Sequence, residues 1–505
     1  MGQIHRLPGT NSFQMDKASF GRLLEPGSTC WRIAPAGRAA LLVDAASYVG
    51  AMVAAIRRAR HSILLLGWDF DPRVPLTPAD DANRQPERFC DLMAAVVSRR
   101  PQLSVHILIW NMTWSYAIQR RNKPQRAAHW LPGRQLHYRV DGAHPVGAAH
   151  HQKLLVVDDS IAFCGGADFT RNRWDTPMHL PIDSRRRTLG GGTYGPRHDV
   201  MLAVDGAAAE ALGELARERW FRATGERIEA PPASPAGWPE DLRPDIIDVR
   251  VGIARTEPAW RGRKEIREIE ALYLQAIAVA ERWIYLENQY ITSPAVGTAL
   301  AERLAEPDGP EVIIVCPAHS GGRFDRLAMD HARDRLFHRL RSADPHRRFR
   351  AFAAMADRDT PITIHSKVMV VDDRFLRVGS ANLNNRSFGL DTECDVAIEA
   401  EAGDGDTRQR IRRLLFRLLA EHTGSAADRF ESTFGKAGSL RASIDDVADP
   451  SGRHLEAFAK RRSTALDRVM GTFHLLDPTG VDDNWRPWRR FGRRSSAHGP
   501  AGVPS

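Results

Sequence analysis

Apolar positions along the 505-residue chain fall into two rhythms. Short runs bounded by polar and turn residues predict strands at SILLLGW (62–68), SVHILIW (104–110), QLHYRV (135–140), QKLLVV (152–157) and VMLAV (200–204). Between them apolar residues recur at helical spacing over 45–60, 88–99 and 206–220, and the alternation of the two kinds predicts an α/β layered unit with a buried sheet. Proline and small polar residues dominate EAPPASPAGWPEDLRPD (229–245), the predicted linker. The pattern then restarts: a helix over 264–281, strands at 283–287, 311–316, 348–353, 366–371 and 395–400, and a closing helix over 407–421. The longest apolar stretch, AALLVDAASYVGAMVAAI (39–56), could tempt a membrane assignment. Asp44 interrupts it, and Tyr48, Met52, Ile56 and Ala59 recur at helical spacing, so it is predicted to be an amphipathic core helix.

The two halves correspond in order, which predicts an internal duplication. The expected organisation is an N-terminal segment (1–44), a first half (45–228), the linker (229–245), a second half (246–425) and a basic C-terminal extension (426–505). Composition adds that 43% of residues are hydrophobic and 26% charged, an ordinary globular balance, while the net charge of +9 favours anionic partners. Cys30, Cys90, Cys164, Cys316 and Cys394 show neither disulfide nor metal-ligand spacing, which suits a reducing compartment. The N-terminal residues hold no apolar signal core, so a cytoplasmic location is expected, with peripheral attachment to the inner membrane face.

The duplication carries chemistry. HQKLLVVD (151–158) and HSKVMVVD (365–372) repeat a histidine, a lysine two places on and an aspartate five further. Average residue usage predicts roughly 0.06 chance matches for one copy, so two, each followed by VVDD and then GGAD (165–168) or GSAN (379–382), are not coincidence. In an extended strand His151 and Lys153 share one face, as do His365 and Lys367, and an imidazole beside an ammonium suits a phosphate. His150 falls on the opposite face and reads as packing. Asp158 and Asp372 lie an odd number of residues from the histidines, so a structural role in the following turn is expected.

On these motifs, with IYLENQY (284–290), GWDFDP (67–72) and RHDVMLAVDG (197–206), the chain resembles the phospholipase D superfamily over about residues 45–425. The resemblance implies two α/β/α sandwich halves related by a pseudo-twofold, with the active site at their interface. It implies hydrolysis of glycerophospholipid to phosphatidic acid and a headgroup alcohol through a phosphohistidine, with transfer to another alcohol as a further outcome. His151 would be the nucleophile and His365 the acid/base, although the residues themselves leave the order open. Lys153 and Lys367 would clamp phosphate oxygens, helped by Ser380 and Asn382, whose first-half equivalents are Gly166 and Asp168. Glu393 and Asp199 would fix the imidazole tautomers.

Trp68, Glu287 and Asn288 could line the substrate pocket, or serve the core; Asp69 departs from the neutral residue the family usually has after the tryptophan. Arg185, Arg186 and Arg187 could meet lipid phosphates, as could NWRPWRRFGRRSS (484–496) with its interleaved aromatics, against the alternative of solvated or packed segments. No cofactor is expected, and no metal, because no His/Cys/carboxylate cluster offers a site. The expected partners are phospholipid and an anionic membrane surface, not nucleic acid, with the chain a monomer. A cardiolipin or phosphatidylserine synthase-like transferase and a nuclease of the same superfamily are the alternatives.

Overall fold

The computed structural model describes residues 22–77, 86–111, 135–233, 237–321, 329–459 and 477–478. The basic stretch 484–496 and residues 1–21 lie outside the described residues. The first part of the chain forms strands β1 (Arg32–Val43), β2 (Ser62–Gly67), β3 (Ser104–Trp110), β4 (Leu136–Asp141), β5 (Leu154–Val157), β6 (Ile161–Gly165), β7 (Arg197–His198) and β8 (Val200–Asp205). The second forms β9 (Ile246–Glu257), β10 (Ile266–Arg267), β11 (Trp283–Asn288), β12 (Glu311–Cys316), β13 (Phe349–Met355), β14 (Thr363–Ile364), β15 (Lys367–Val371), β16 (Phe375–Gly379), β17 (Glu393–Glu399) and β18 (His454–Ala457).

One sheet runs through both parts, in the order β18-β13-β12-β11-β15-β16-β17-β9-β1-β8-β6-β5-β2-β3-β4. β1 and β9 pair antiparallel at its centre, from Arg32↔Ile253 to Ala39↔Ile246. On either side the same sequence of neighbours follows, with β2·β3·β4 and β11·β12·β13 parallel and the remaining pairs on this path antiparallel. Alternation along the strands builds the layers. Ile63 and Leu65 pack with helices Asp44–Arg58 and Phe89–Arg99, while Leu64 and Leu66 join the opposite cluster that holds helix Gly206–Thr224. In the second part Ile284 and Leu286 face helices Glu268–Val279 and Pro294–Ala305, and Trp283 and Tyr285 face helix Gly405–Thr423.

Two predictions are corrected by these elements. Residues 39–56 are not one helix: Ala39–Val43 closes β1 and the helix begins at Asp44, whose φ of 62° turns the chain between the two. The stretch before residue 45 therefore supplies a central strand, held by β8 on one edge and β9 on the other. Among the described residues, no helix is long and apolar enough to cross a membrane.

Candidate active site

Two short parallel pairings outside the main sheet position the motif histidines. β7 pairs with β14, Arg197↔Thr363 and His198↔Ile364, and the His365 amide continues the ladder onto the His198 carbonyl at 2.9 Å. The next residues, Asp199 and His365, are thereby brought side by side. The same device recurs with the halves exchanged: His150 bridges Thr392, and the His151 amide bonds the Thr392 carbonyl at 2.9 Å, setting His151 beside Glu393. Each histidine thus meets a carboxylate from the opposite half. Nδ1–H of His365 donates to Asp199 Oδ2 at 2.8 Å, and Nδ1–H of His151 faces both Glu393 oxygens at 2.9 Å. The carboxylates accept at Nδ1, so the tautomer leaves Nε2 with a free lone pair on both rings. Sequence reasoning named both acids; the crossing is a property of the fold.

The lysines complete the cluster. Lys153 Nζ donates to the His151 carbonyl at 3.0 Å and ion-pairs with Asp168 at 3.5 Å; Lys367 Nζ bonds the His365 carbonyl and Gln289 Oε1. Residues 151–153 precede β5, whereas Lys367 opens β15. Burial, followed by the charges of Lys153 and Lys367, holds the His151 imidazolium well below its ordinary range. His365 is lowered by burial first, then by Lys367, Arg197, Arg173 and Lys153. Because each lysine's field reaches both imidazoles, the four groups share one electrostatic site. Burial likewise lowers Lys367 to about 7 and raises Glu393 to about 7. The arrangement is two neutral nucleophilic nitrogens among crowded cations, a site that an arriving phosphate anion would relieve.

Several predicted contacts have other duties. Ser380 Oγ donates to Glu393 at 2.5 Å and accepts from the Cys394 amide at 3.0 Å, so it supports the acid rather than facing a phosphate. Asp168 Oδ1 accepts from the Trp68 amide at 2.8 Å, fixing the chain that carries Trp68. Trp68 itself stacks on Trp110 and sets its edge 6.4 Å from the His151 ring, which places it beside the site. A side chain at Gly166 would collide with the Asp199 carboxylate and press on the His365 carbonyl 2.9 Å away, so this glycine lets the halves close. Asn382 anchors its amide on Ser387 Oγ at 3.0 Å, and its side-chain oxygen is buried without a hydrogen-bond partner among the described residues.

Glu287 and Asn288 are corrected outright as substrate contacts. Glu287 is fully buried and bonded to His198, His422 and Tyr285, while Asn288 Oδ1 accepts from the Tyr290 and Leu383 amides, each at 3.2 Å. Arg186 is buried on Asp175 and is no lipid contact; Arg185 is tied to Asp183 and lies over Trp174. His150 packs fully buried against Asp141 and Thr392. The expectation that no ligand cluster exists is also overturned: Asp44, His179, His198 and Glu421 converge in the interior behind Asp199. They come from four distant segments, so no local spacing could announce them. Sequence reasoning also missed Arg377, whose buried pair with Asp395 holds the Ser380 amide through Asp395 and the Lys367 carbonyl directly.

Residues 273–415 match the family model described as "Cardiolipin synthase, PLD-like domain". Phospholipase D A of Dictyostelium discoideum is 26% identical over 76% of this chain and 35% of its own length. The chain carries a PLD-like domain and is similar to proteins named phospholipase D. Phospholipase D alpha 4 of Arabidopsis thaliana is 24% identical over 80% of this chain and 69% of its own. The chain thus spans about a third of the Dictyostelium relative and about two thirds of the Arabidopsis one. The phosphatidylserine synthase of Haemophilus influenzae shares the fold, with a TM-score of 0.51 at 14% identity over 76% of this chain and 87% of that one.

Proposed function

We propose that this protein is a phosphodiesterase of the phospholipase D type, cleaving glycerophospholipids to phosphatidic acid and a free headgroup alcohol. The observation that carries the reading is the crossed pair of imidazole–carboxylate contacts, His151–Glu393 and His365–Asp199, with a buried lysine at each. Arrival of the phosphate anion favours the imidazolium form of His365, which takes up a proton at Nε2; His151 Nε2 then attacks phosphorus, the P–O bond to the headgroup breaks, and the departing oxygen takes that proton. Water then gives its proton back to His365, attacks phosphorus and releases His151. An alcohol in place of water yields transfer. Lys153 and Lys367 stabilise the charge on the non-bridging oxygens. The more open of the two imidazoles, His151, with 15% side-chain exposure against 9% for His365, is assigned as nucleophile.

A membrane surface fits the molecule's outside. Met178, Leu180, Ile182 and Leu189 are exposed in one loop that also carries exposed Arg187, apolar side chains beside a cation as anionic lipid would require. Both halves of the site come from one chain, which supports action as a monomer.

The test is direct. Vesicles of phosphatidylcholine and of phosphatidylethanolamine should yield phosphatidic acid with choline or ethanolamine, and a short primary alcohol should divert part of the product to a phosphatidyl alcohol. Folded protein that releases no headgroup from either lipid, yet nicks plasmid DNA, would overturn the reading.

A further inference from the structure

Behind Asp199 lies a second polar centre that the proposed reaction leaves unused. His179 Nε2 is 3.0 Å from Glu421 Oε1 and 3.3 Å from Asp44 Oδ2; His198 Nδ1 is 2.8 Å from Glu421 Oε1 and 3.2 Å from Asp44 Oδ1. All four side chains are buried, and Asp44 Oδ2 has no hydrogen-bond partner among the described residues. The other nitrogen of each ring is already occupied. His179 Nδ1 bonds Asp175 at 2.9 Å, and His198 Nε2 bonds Glu287 at 2.9 Å.

Counting protons shows what the centre lacks. With one N–H on each imidazole directed outward to Asp175 and Glu287, two bare ring nitrogens face two carboxylates. Four acceptors then crowd one dry space with nothing positive between them, an arrangement that is strongly unfavourable. Either both rings carry a second proton or a cation sits at the centre. The spacing admits the cation: tetrahedral ligands at about 2.0–2.1 Å from a zinc ion are separated by about 3.3 Å, and the cross-contacts here, from 2.8 to 3.3 Å, reach that with a shift of at most about 0.5 Å. A carboxylate behind each histidine is the outer arrangement that fixes metal-binding imidazoles. Two carboxylates also neutralise a dication.

We propose that Asp44, His179, His198 and Glu421 form a structural divalent-metal site, zinc by its donor set, pinning the second-half helix Gly405–Thr423 to the first half. The site reaches the active centre through the backbone. Asp44 exchanges contacts with Asp199, its amide donating to the Asp199 carbonyl at 2.8 Å and its carboxylate accepting the Asp199 amide at 3.2 Å.

Full-length protein purified without chelator should carry one zinc per chain by elemental analysis. Removing it should lower the melting temperature, and zinc should restore it. Cobalt(II) added to the stripped protein should develop the visible bands of a four-coordinate ion. His179→Ala and Glu421→Gln should each abolish stoichiometric binding, whereas His137→Ala, on a half-buried histidine elsewhere, should retain it. Should the first two variants fail to fold, the stripped wild type decides by itself. Folded wild type that is metal-free, takes up neither zinc nor cobalt and melts unchanged with chelator overturns the proposal and leaves two imidazolium protons as the balancing charge. Loss of the ion in His137→Ala as well would overturn it too.

Discussion

His151 and His365 have Nδ1 committed to a carboxylate and Nε2 left open, and the consequences can be measured one side chain at a time. Asp199→Asn removes the acceptor that fixes the His365 tautomer, so kcat should fall by about 10²–10⁴ with KM nearly unchanged. Steady-state kinetics on phospholipid vesicles checks this, and an unchanged kcat would contradict it. Ser380→Ala deletes the hydroxyl bonded to Glu393, a charge-assisted bond worth about 1.5–3 kcal/mol, and should lower kcat by about 10–10² while leaving the fold intact. Lys367 makes a pH prediction. Burial depresses its ammonium to about 7 and the active form is protonated, so kcat/KM is sustained below that pH and falls as pH rises through it. A bound phosphate anion favours the ammonium, so the corresponding limb of kcat should lie higher. A kcat/KM that stays flat into the alkaline range would contradict this assignment. The histidines, lysines and both acids were legible in the sequence because a duplicated motif displays them. The roles of Ser380, Glu287 and Arg377 were not, since each depends on a partner supplied by the folded chain.

Asp158 and Asp372 act on whole elements. Asp158 accepts the amides of Arg60, His61 and Ser62 at 2.6–2.8 Å, and Asp372 those of Glu281, Arg282 and Trp283 at 2.8–3.0 Å, each tying the start of one strand to the end of another. Both have positive φ, 51° and 52°, which aspartate tolerates. Asp372→Ala would leave three amides without their acceptor and should destabilise the protein by about 3–5 kcal/mol, read from the urea midpoint. A loss under about 1 kcal/mol would show that the staple is dispensable. The odd spacing from the histidines pointed to structure, but the strand each aspartate serves lies about 90 residues away and leaves no local mark. Long amphipathic helices and apolar strands were legible for the same reason that they fold: local periodicity matches burial. β1 was hidden because its apolar end runs straight into a helix, with the break made by the backbone of Asp44. β7 and β14 are two residues each and exist through their mutual pairing.

Across the whole molecule, the continuous sheet and the exchanged carboxylates make either half incomplete alone. A protease site introduced between Ala230 and Ala233 should therefore give a nicked chain that still elutes as one species and keeps its activity, because the β1–β9 ladder holds the parts together. Separation of the fragments on gel filtration without denaturant would contradict this. The repeated motif was readable in the sequence, whereas the pairing of each histidine with an acid 166 or 242 residues away required the fold. The account rests on both imidazoles serving a single phosphorus in unequal roles, and one measurement reaches it. Phospholipid radiolabelled in phosphorus is mixed with enzyme, quenched in denaturant, and the protein-bound label compared between His151→Ala and His365→Ala. The expected result is acid-labile label that accumulates on His365→Ala, where the nucleophile remains but no base activates the water that would release it, and none on His151→Ala. Label of equal amount on both variants, or none on any form of an enzyme that still turns over, would contradict the account.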